Sequence, residues 1–196
     1  MSEKTDQKRQ LIVESAAGVF SEKGYKTVTM KDIVEASDIS RGGLYLYFSC
    51  VEDVFLAVLD MKEKAAEEEF SPDALANASG GEILLWFLKT QKKEILKKKD
   101  SLLMAKYEYA FSCKEKRQTA FLKKEMDKAV LVLQNILERG TENGEFACFD
   151  PKNEAKDMMY AIEGMKLMSL TTGISEKKVD SEFLHMMERI VIEDEE

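Results

Sequence analysis

The chain has 196 residues, 44% of them apolar, only two prolines, and a formal charge of −8. That apolar share is enough to build a core, which excludes a disordered chain. The net charge excludes a protein that coats nucleic acid by bulk attraction. Cys50, Cys113 and Cys148 are odd in number and widely spaced, which excludes a disulfide framework or a zinc site.

The length allows one large or two small domains. Rare proline and frequent Ala, Leu, Lys, Glu and Met predict an all-α protein. The polar start Met1-Ser2-Glu3-Lys4 predicts no secretory leader. No apolar run approaches the roughly 20 residues of a membrane span, so cytoplasmic residence is expected.

The first helix is predicted from Asp6 to Lys23, with an apolar stripe of Leu11, Ile12, Ala16, Val19 and Phe20 and a stop at Gly24. Thr29 and Asp32 form a capping pair for a short helix over Met30–Ala36 that buries Ile33 and Val34. Asp38 and Ile39 turn the chain, Ser40 caps a third helix over Arg41–Tyr47, and Ser49 with Glu52 opens a fourth. Three helices, the last two very short, make a compact helix-turn-helix unit. Its first 50 residues hold seven Lys/Arg and seven Asp/Glu, so the whole −8 lies beyond them.

The fourth helix runs to Phe70, and the stretch from Ser71 to Gly81 reads as the loosest part of the chain. Further helices are predicted over Glu82–Lys98, Leu102–Ser112, Glu115–Arg139, Pro151–Thr171 and Glu176–Glu193, the penultimate one started by Asp150-Pro151. In the penultimate helix Met158, Met159, Ala161, Ile162, Met165, Leu167, Met168 and Leu170 leave it apolar almost all round, so it must meet two partners. Lys92, Lys93 and Lys97–Lys99 read as a solvated helix end. Glu108 and Glu163 interrupt apolar stretches and read as surface carboxylates, or as groups that orient a cationic or hydroxylated ligand.

A third helix that begins with small and basic residues and continues with aromatics is shaped for a DNA groove. Thr29 and Ser40, each at a helix start, offer hydroxyls and amides to phosphate. Arg41 has the planar fork that guanine O6/N7 accepts. Gly42 and Gly43 allow close approach, and Tyr45 and Tyr47 offer hydroxyls to phosphate or ring faces to thymine methyls. The bland readings are a solvated Arg41 and a partly buried Tyr45. One histidine, no phosphate-binding Gly loop and no nucleophile signature argue against an enzyme.

The run Gly24-Tyr25 … Thr29 … Asp32-Ile33-Val34 … Ser40-Arg41-Gly42-Gly43-Leu44-Tyr45-Leu46-Tyr47-Phe48 … Glu52-Asp53 resembles the DNA-binding domain of the TetR family of bacterial transcriptional regulators. The resemblance implies about nine helices: a head over residues 1–50, and a helical effector-binding and dimerisation domain over 51–196. It implies a ligand-responsive regulator, a repressor released from a near-palindromic operator by a small apolar or amphipathic molecule. Cofactors and metals are not expected, and His185 reads as an interface or surface residue. The homodimer it implies forms through the last two helices, in keeping with their apolar stripes. Leu44 and Phe48 would join the head's core. The family often has lysine where this chain has Val51, which leaves Ser49, Lys26 and Lys31 as candidate substitutes for a phosphate contact. The implied pocket would draw on Trp86, Met104, Tyr107, Phe111, Phe121, Met126, Met158, Ile162 and Met165; the alternative for each is plain core packing. The competing function is a helical ligand-binding or adaptor protein without specific DNA binding.

Overall fold

The computed structural model describes the backbone of residues 3–71, 73, 75–97, 101–112 and 116–190, and within these the side chains of all but 3, 4, 116–119 and 121. Nine α-helices are present among the described residues: α1 Glu3–Lys23, α2 Met30–Ser37, α3 Arg41–Tyr45, α4 Val51–Glu69, α5 Gly80–Leu96, α6 Leu103–Ser112, α7 Lys116–Glu142, α8 Pro151–Leu170 and α9 Glu176–Glu188. The all-α architecture and the helix order follow the expectation. Cys113 and Val191, and the predicted end of the last helix, lie outside the described residues.

The chain forms two compact units, Met1–Glu69 with Lys98–Thr119, and Phe70–Lys97 with Ala120–Glu196. In the first, α1 packs on α2, α4 and α6. The buried face of α1 is Ile12, Val13, Ala16, Val19 and Phe20, while Leu11 is exposed. The expected stripe therefore needs Val13 in place of Leu11. The i, i+3, i+4 spacing tolerates either residue on its own, and the packing of the neighbouring helices selects between them. An aromatic cluster closes this core: Phe20 meets Phe55 at 4.7 Å, and Tyr109 meets Tyr25 at 4.9 Å and Phe55 at 5.2 Å between ring centroids. Aromatic edges and faces at such spacings add to the gain from burial alone.

In the second unit the core runs through Ile83, Leu84, Phe87 and Leu88 of α5, Leu133, Ile136 and Leu137 of α7, Met158, Met159, Ile162 and Met165 of α8, and Val179, Phe183 and Met186 of α9. The start of α5 is firmly held, contrary to its reading as part of the loosest stretch. Ser79 and Glu82 form a capping box. Glu145 Oε1 accepts from the Gly80 amide at 3.0 Å and Oε2 from the Gly81 amide at 2.7 Å. Those amides, Gly81 foremost, hold the Glu145 carboxyl below its ordinary pKa. The four amides left over at a helix start need such acceptors, and a carboxylate supplies charge of the favourable sign.

The same corner needs a bare backbone. A β-carbon on Gly80 would lie 2.5 Å from the Gly140 Cα, an approach that only backbone movement relieves. Gly80→Ala is therefore expected to destabilise the second unit by about 1–3 kcal/mol, the range for overpacking. A urea melt followed by fluorescence of Trp86, the one tryptophan of the chain and a member of this unit, reads the change. An unshifted midpoint would show that the corner yields.

Two ion-pair groups tie α5 to α8 and α9. Lys166, 7% exposed, places its Nζ 3.0 Å from Glu94 and 2.9 Å from Glu163. Lys92 Nζ lies 2.9 Å from Glu176 and 2.6 Å from Asp180. Lys92 is thus a bridge between helices, where the sequence suggested a solvated helix end.

Candidate nucleic-acid interface

The turn that leads into α2 is built first. Gly24 has φ +75° and donates its amide to the Phe20 carbonyl at 2.9 Å, ending α1 in the left-handed conformation that glycine favours. Thr29 then caps α2. Its amide donates to Asp32 Oδ2 at 2.8 Å, and the Asp32 amide donates back to Thr29 Oγ1 at 3.3 Å. Lys23 reaches the other carboxylate oxygen of Asp32 at 2.6 Å. The Lys23 ammonium, with the hydroxyl and amide of Thr29, holds the Asp32 carboxyl far below the usual carboxylate range.

This arrangement sets a pH dependence with a definite sign. A carboxyl whose folded pKa is depressed stabilises the fold fully above its unfolded value, about 4, and the stabilisation fades as pH falls through the folded pKa. Thermal melts should therefore show Asp32→Asn below the wild type at pH 7, with the gap narrowing in strong acid. A gap that did not change with pH would remove the charge from the account.

α2 ends at Asp38, whose φ of 52° is left-handed, a conformation that aspartate tolerates better than most residues. Ser40 caps α3 by accepting the Gly43 amide at 3.1 Å. A β-carbon at Gly43 would meet Ile39 Cγ2 at 2.8 Å, whereas one at Gly42 would meet open space. Gly43 thus serves the turn itself, and Gly42 is the glycine that leaves the outer surface low. Leu44 and Phe48 are buried, which roots the segment in the core.

The opposite face is open. Thr29, Lys31, Ser40, Arg41, Gly42, Tyr45 and Ser49 are all exposed, and Tyr47 is half-buried. α3 is two residues shorter than expected, so Tyr47 follows the helix instead of ending it. The Arg41 guanidinium lies over the Tyr45 ring, 5.8 Å from its centroid. Lys31 pairs loosely with Glu35 at 3.5 Å.

Two expected groups are arranged differently. The partner of Ser49 is Asp53, not Glu52: the Ser49 amide and hydroxyl donate to Asp53 Oδ2 at 3.1 and 2.6 Å. Glu52 instead accepts from the Tyr109 hydroxyl at 2.9 Å. Glu108 is no solvated carboxylate, because its Oε2 accepts the Tyr25 and Lys26 amides at 2.7 and 3.0 Å. The sequence reading missed this role of Glu108, and its one signal was a carboxylate inside an aromatic helix.

The comparisons with known proteins match both parts of the chain. The family model for bacterial regulatory proteins of the tetR family covers residues 12–58. The model for the tetracyclin repressor-like C-terminal domain covers residues 83–180. The HTH-type transcriptional regulator YfiR of Bacillus subtilis is 32% identical over 152 residues, 76% of this chain and 73% of that protein. The chain belongs to the TetR family.

As a TetR-family protein it is a DNA-binding transcriptional regulator, not an enzyme. QacR of Staphylococcus aureus is 24% identical over 176 residues, covering 85% of this chain and 88% of that protein. A transcriptional regulator from Saccharomonospora viridis, solved in complex with choline, has the same fold, with a TM-score of 0.79, 19% identity, and coverage of 96% of this chain and all of that one.

The residues expected to line an effector pocket fall on both units. Met104, Tyr107 and Phe111 lie on α6 in the first unit, where Tyr107 and Phe111 stack at 6.2 Å and Phe111 is largely exposed. Met158, Ile162 and Met165 are buried in the core of the second unit, and Met126 packs against that core. Trp86 stands half out of that core, with its ring 5.4 Å from Phe70. Phe121 is on α7, and its side chain is outside the described residues. No helix among the described residues is long and apolar enough to cross a membrane.

Proposed function

We propose that this TetR-family regulator is a cytoplasmic repressor that binds a near-palindromic operator as a homodimer and leaves it when a small apolar or amphipathic effector binds. The observation that carries the reading is the two-sided third helix. Leu44 is fully buried beneath it, while Ser40, Arg41, Gly42 and Tyr45 stand exposed together. Thr29 and Ser40 would hold phosphates. Arg41 would read guanine, and Tyr45 and Tyr47 would meet thymine methyls or backbone. Lys31 and Ser49 complete the surface, and Gly43 shapes the turn beneath it.

The dimer is supported by an apolar face that each chain leaves uncovered. On α8 Tyr160, Leu167 and Met168 are exposed, and on α9 so is Leu184. Helices with one face in a core and a second apolar face in solvent have a place for a partner. Two copies would set their recognition helices about 34–36 Å apart, one DNA turn. For the effector, Trp86, Met126, Met158, Ile162 and Met165 offer the adaptable apolar wall that methionine provides. Effector binding would favour a dimer whose heads are wrongly spaced.

Selection of duplexes from a random-sequence library, followed by anisotropy titrations over a salt series, tests this reading. A selected palindrome bound two chains per duplex, with a steep salt slope, is the expected result. Weak binding without sequence preference would favour an adaptor that does not read DNA.

A further inference from the structure

The head carries two arginines, Arg9 on α1 and Arg41 on α3, and both lie on aromatic rings of the recognition segment. The Arg41 guanidinium is 5.8 Å from the Tyr45 centroid, and that of Arg9 is 5.2 Å from the Phe48 centroid. Phe48 is buried, so it offers Arg9 a fixed platform. A guanidinium held over a ring face can still turn its N–H donors to an oxyanion.

The surroundings of Arg9 leave those donors uncommitted. It lines a shallow open groove with Tyr47, Phe48, Leu56, Ala57 and two carboxylates, Asp53 and Asp60. Asp53 is taken by the amide and hydroxyl of Ser49, and Asp60 by Lys64 at 2.9 Å. Arg9 forms no ion pair among the described residues. The nearby start of α4 supplies little for an anion. Asp53 already occupies its first turn, and residue 51 is valine. Elsewhere in the head, Lys23 is bound to Asp32 and Lys31 faces Glu35.

We propose that Arg9 is a second arginine clamp of this head, holding a DNA phosphodiester beside Tyr47, at the edge of the recognition segment away from Arg41. The inference rests on the reading of the chain as an operator-binding regulator. It adds a contact from α1, outside the helix-turn-helix, and assigns it to positioning, without sequence choice.

The test uses the full chain, the duplex that the wild type selects from a random-sequence library, and a scrambled duplex of equal length. Arg9→Met keeps an aliphatic stem on Phe48 and removes the charge together with its N–H donors. Arg9→Lys restores a charge. Each variant is measured where circular dichroism gives the wild-type helix content. Arg9→Met is expected to weaken both duplexes by the same roughly three- to tenfold at 0.1 M salt. It should lower the slope of log affinity against log salt by about 0.9, and Arg9→Lys should return most of that slope. Unchanged affinity and slope in Arg9→Met would overturn the proposal. So would a loss confined to the selected duplex, since that marks a base contact. Failure of the wild type to select any duplex strikes the regulator reading itself, which separates the two outcomes.

Discussion

Replacing Tyr109 by alanine is expected to lower the stability of the first unit by about 3–5 kcal/mol, the range for removing a buried aromatic ring. The ring is 1% exposed and touches Tyr25 and Phe55, and its hydroxyl donates to Glu52. Tyr109→Phe keeps the ring contacts and loses one hydrogen bond to a carboxylate, so a smaller fall of about 1.5–3 kcal/mol is expected. Tyr109 and Glu108 are neighbours on α6, and Glu108 accepts the amides of Tyr25 and Lys26 four to five residues before α2 begins. The same turn of α6 thus supports the core under α1 and α4 and the approach to α2. Urea unfolding read by far-ultraviolet circular dichroism should show an early loss of helix in Tyr109→Ala. Trp86 fluorescence, which reports the second unit, provides the internal reference. A circular dichroism curve that overlaid the wild type would mean that the aromatic cluster contributes nothing the variant cannot replace.

The features legible in the sequence were those written within a few residues. Thr29 with Asp32, Ser40 before Gly43, and Asp150 before Pro151 each join a capping side chain to an amide three residues on, and the structure has all three caps. The apolar residues that root the recognition segment, Leu44 and Phe48, were placed by resemblance to a family, and both are buried. What sequence could not show depends on partners far along the chain. Ser49 takes Asp53, while Glu52 meets Tyr109, 57 residues away. Glu108 serves a turn more than 80 residues earlier. Glu145 seats the start of α5 from 64 and 65 residues away. Lys92 belongs to a string of lysines and Lys166 stands alone among apolar residues, yet the first bridges to α9 and the second is buried between two glutamates. Periodicity reports which face of a helix is apolar. It does not report which charged residue meets which, because that is decided by how the helices pack.

Arg41→Ala is expected to weaken the selected duplex by about 1–3 kcal/mol and to broaden the preferred sequence at one base pair in each half-site. The scrambled duplex should lose little beyond the charge. The basis is geometric. Arg41 is the first residue of α3, where a recognition helix places side chains deepest in the groove. Tyr45, four residues on, lies beneath the guanidinium and restricts it before DNA arrives, so less freedom is lost on binding. Arg41→Lys separates charge from shape: a lysine keeps the positive charge, and so the salt slope, but lacks the fork that meets O6 and N7 together. Its expected signature is a relaxed sequence preference at a wild-type salt slope. The two arginines of the head then part cleanly in one assay. A change in which base is preferred follows Arg41, and a uniform change in affinity and salt slope follows Arg9. If a fresh selection with Arg41→Ala returned the wild-type site unchanged, guanine reading would have to pass from this residue to another on the same exposed face, with Tyr45 the nearest side chain.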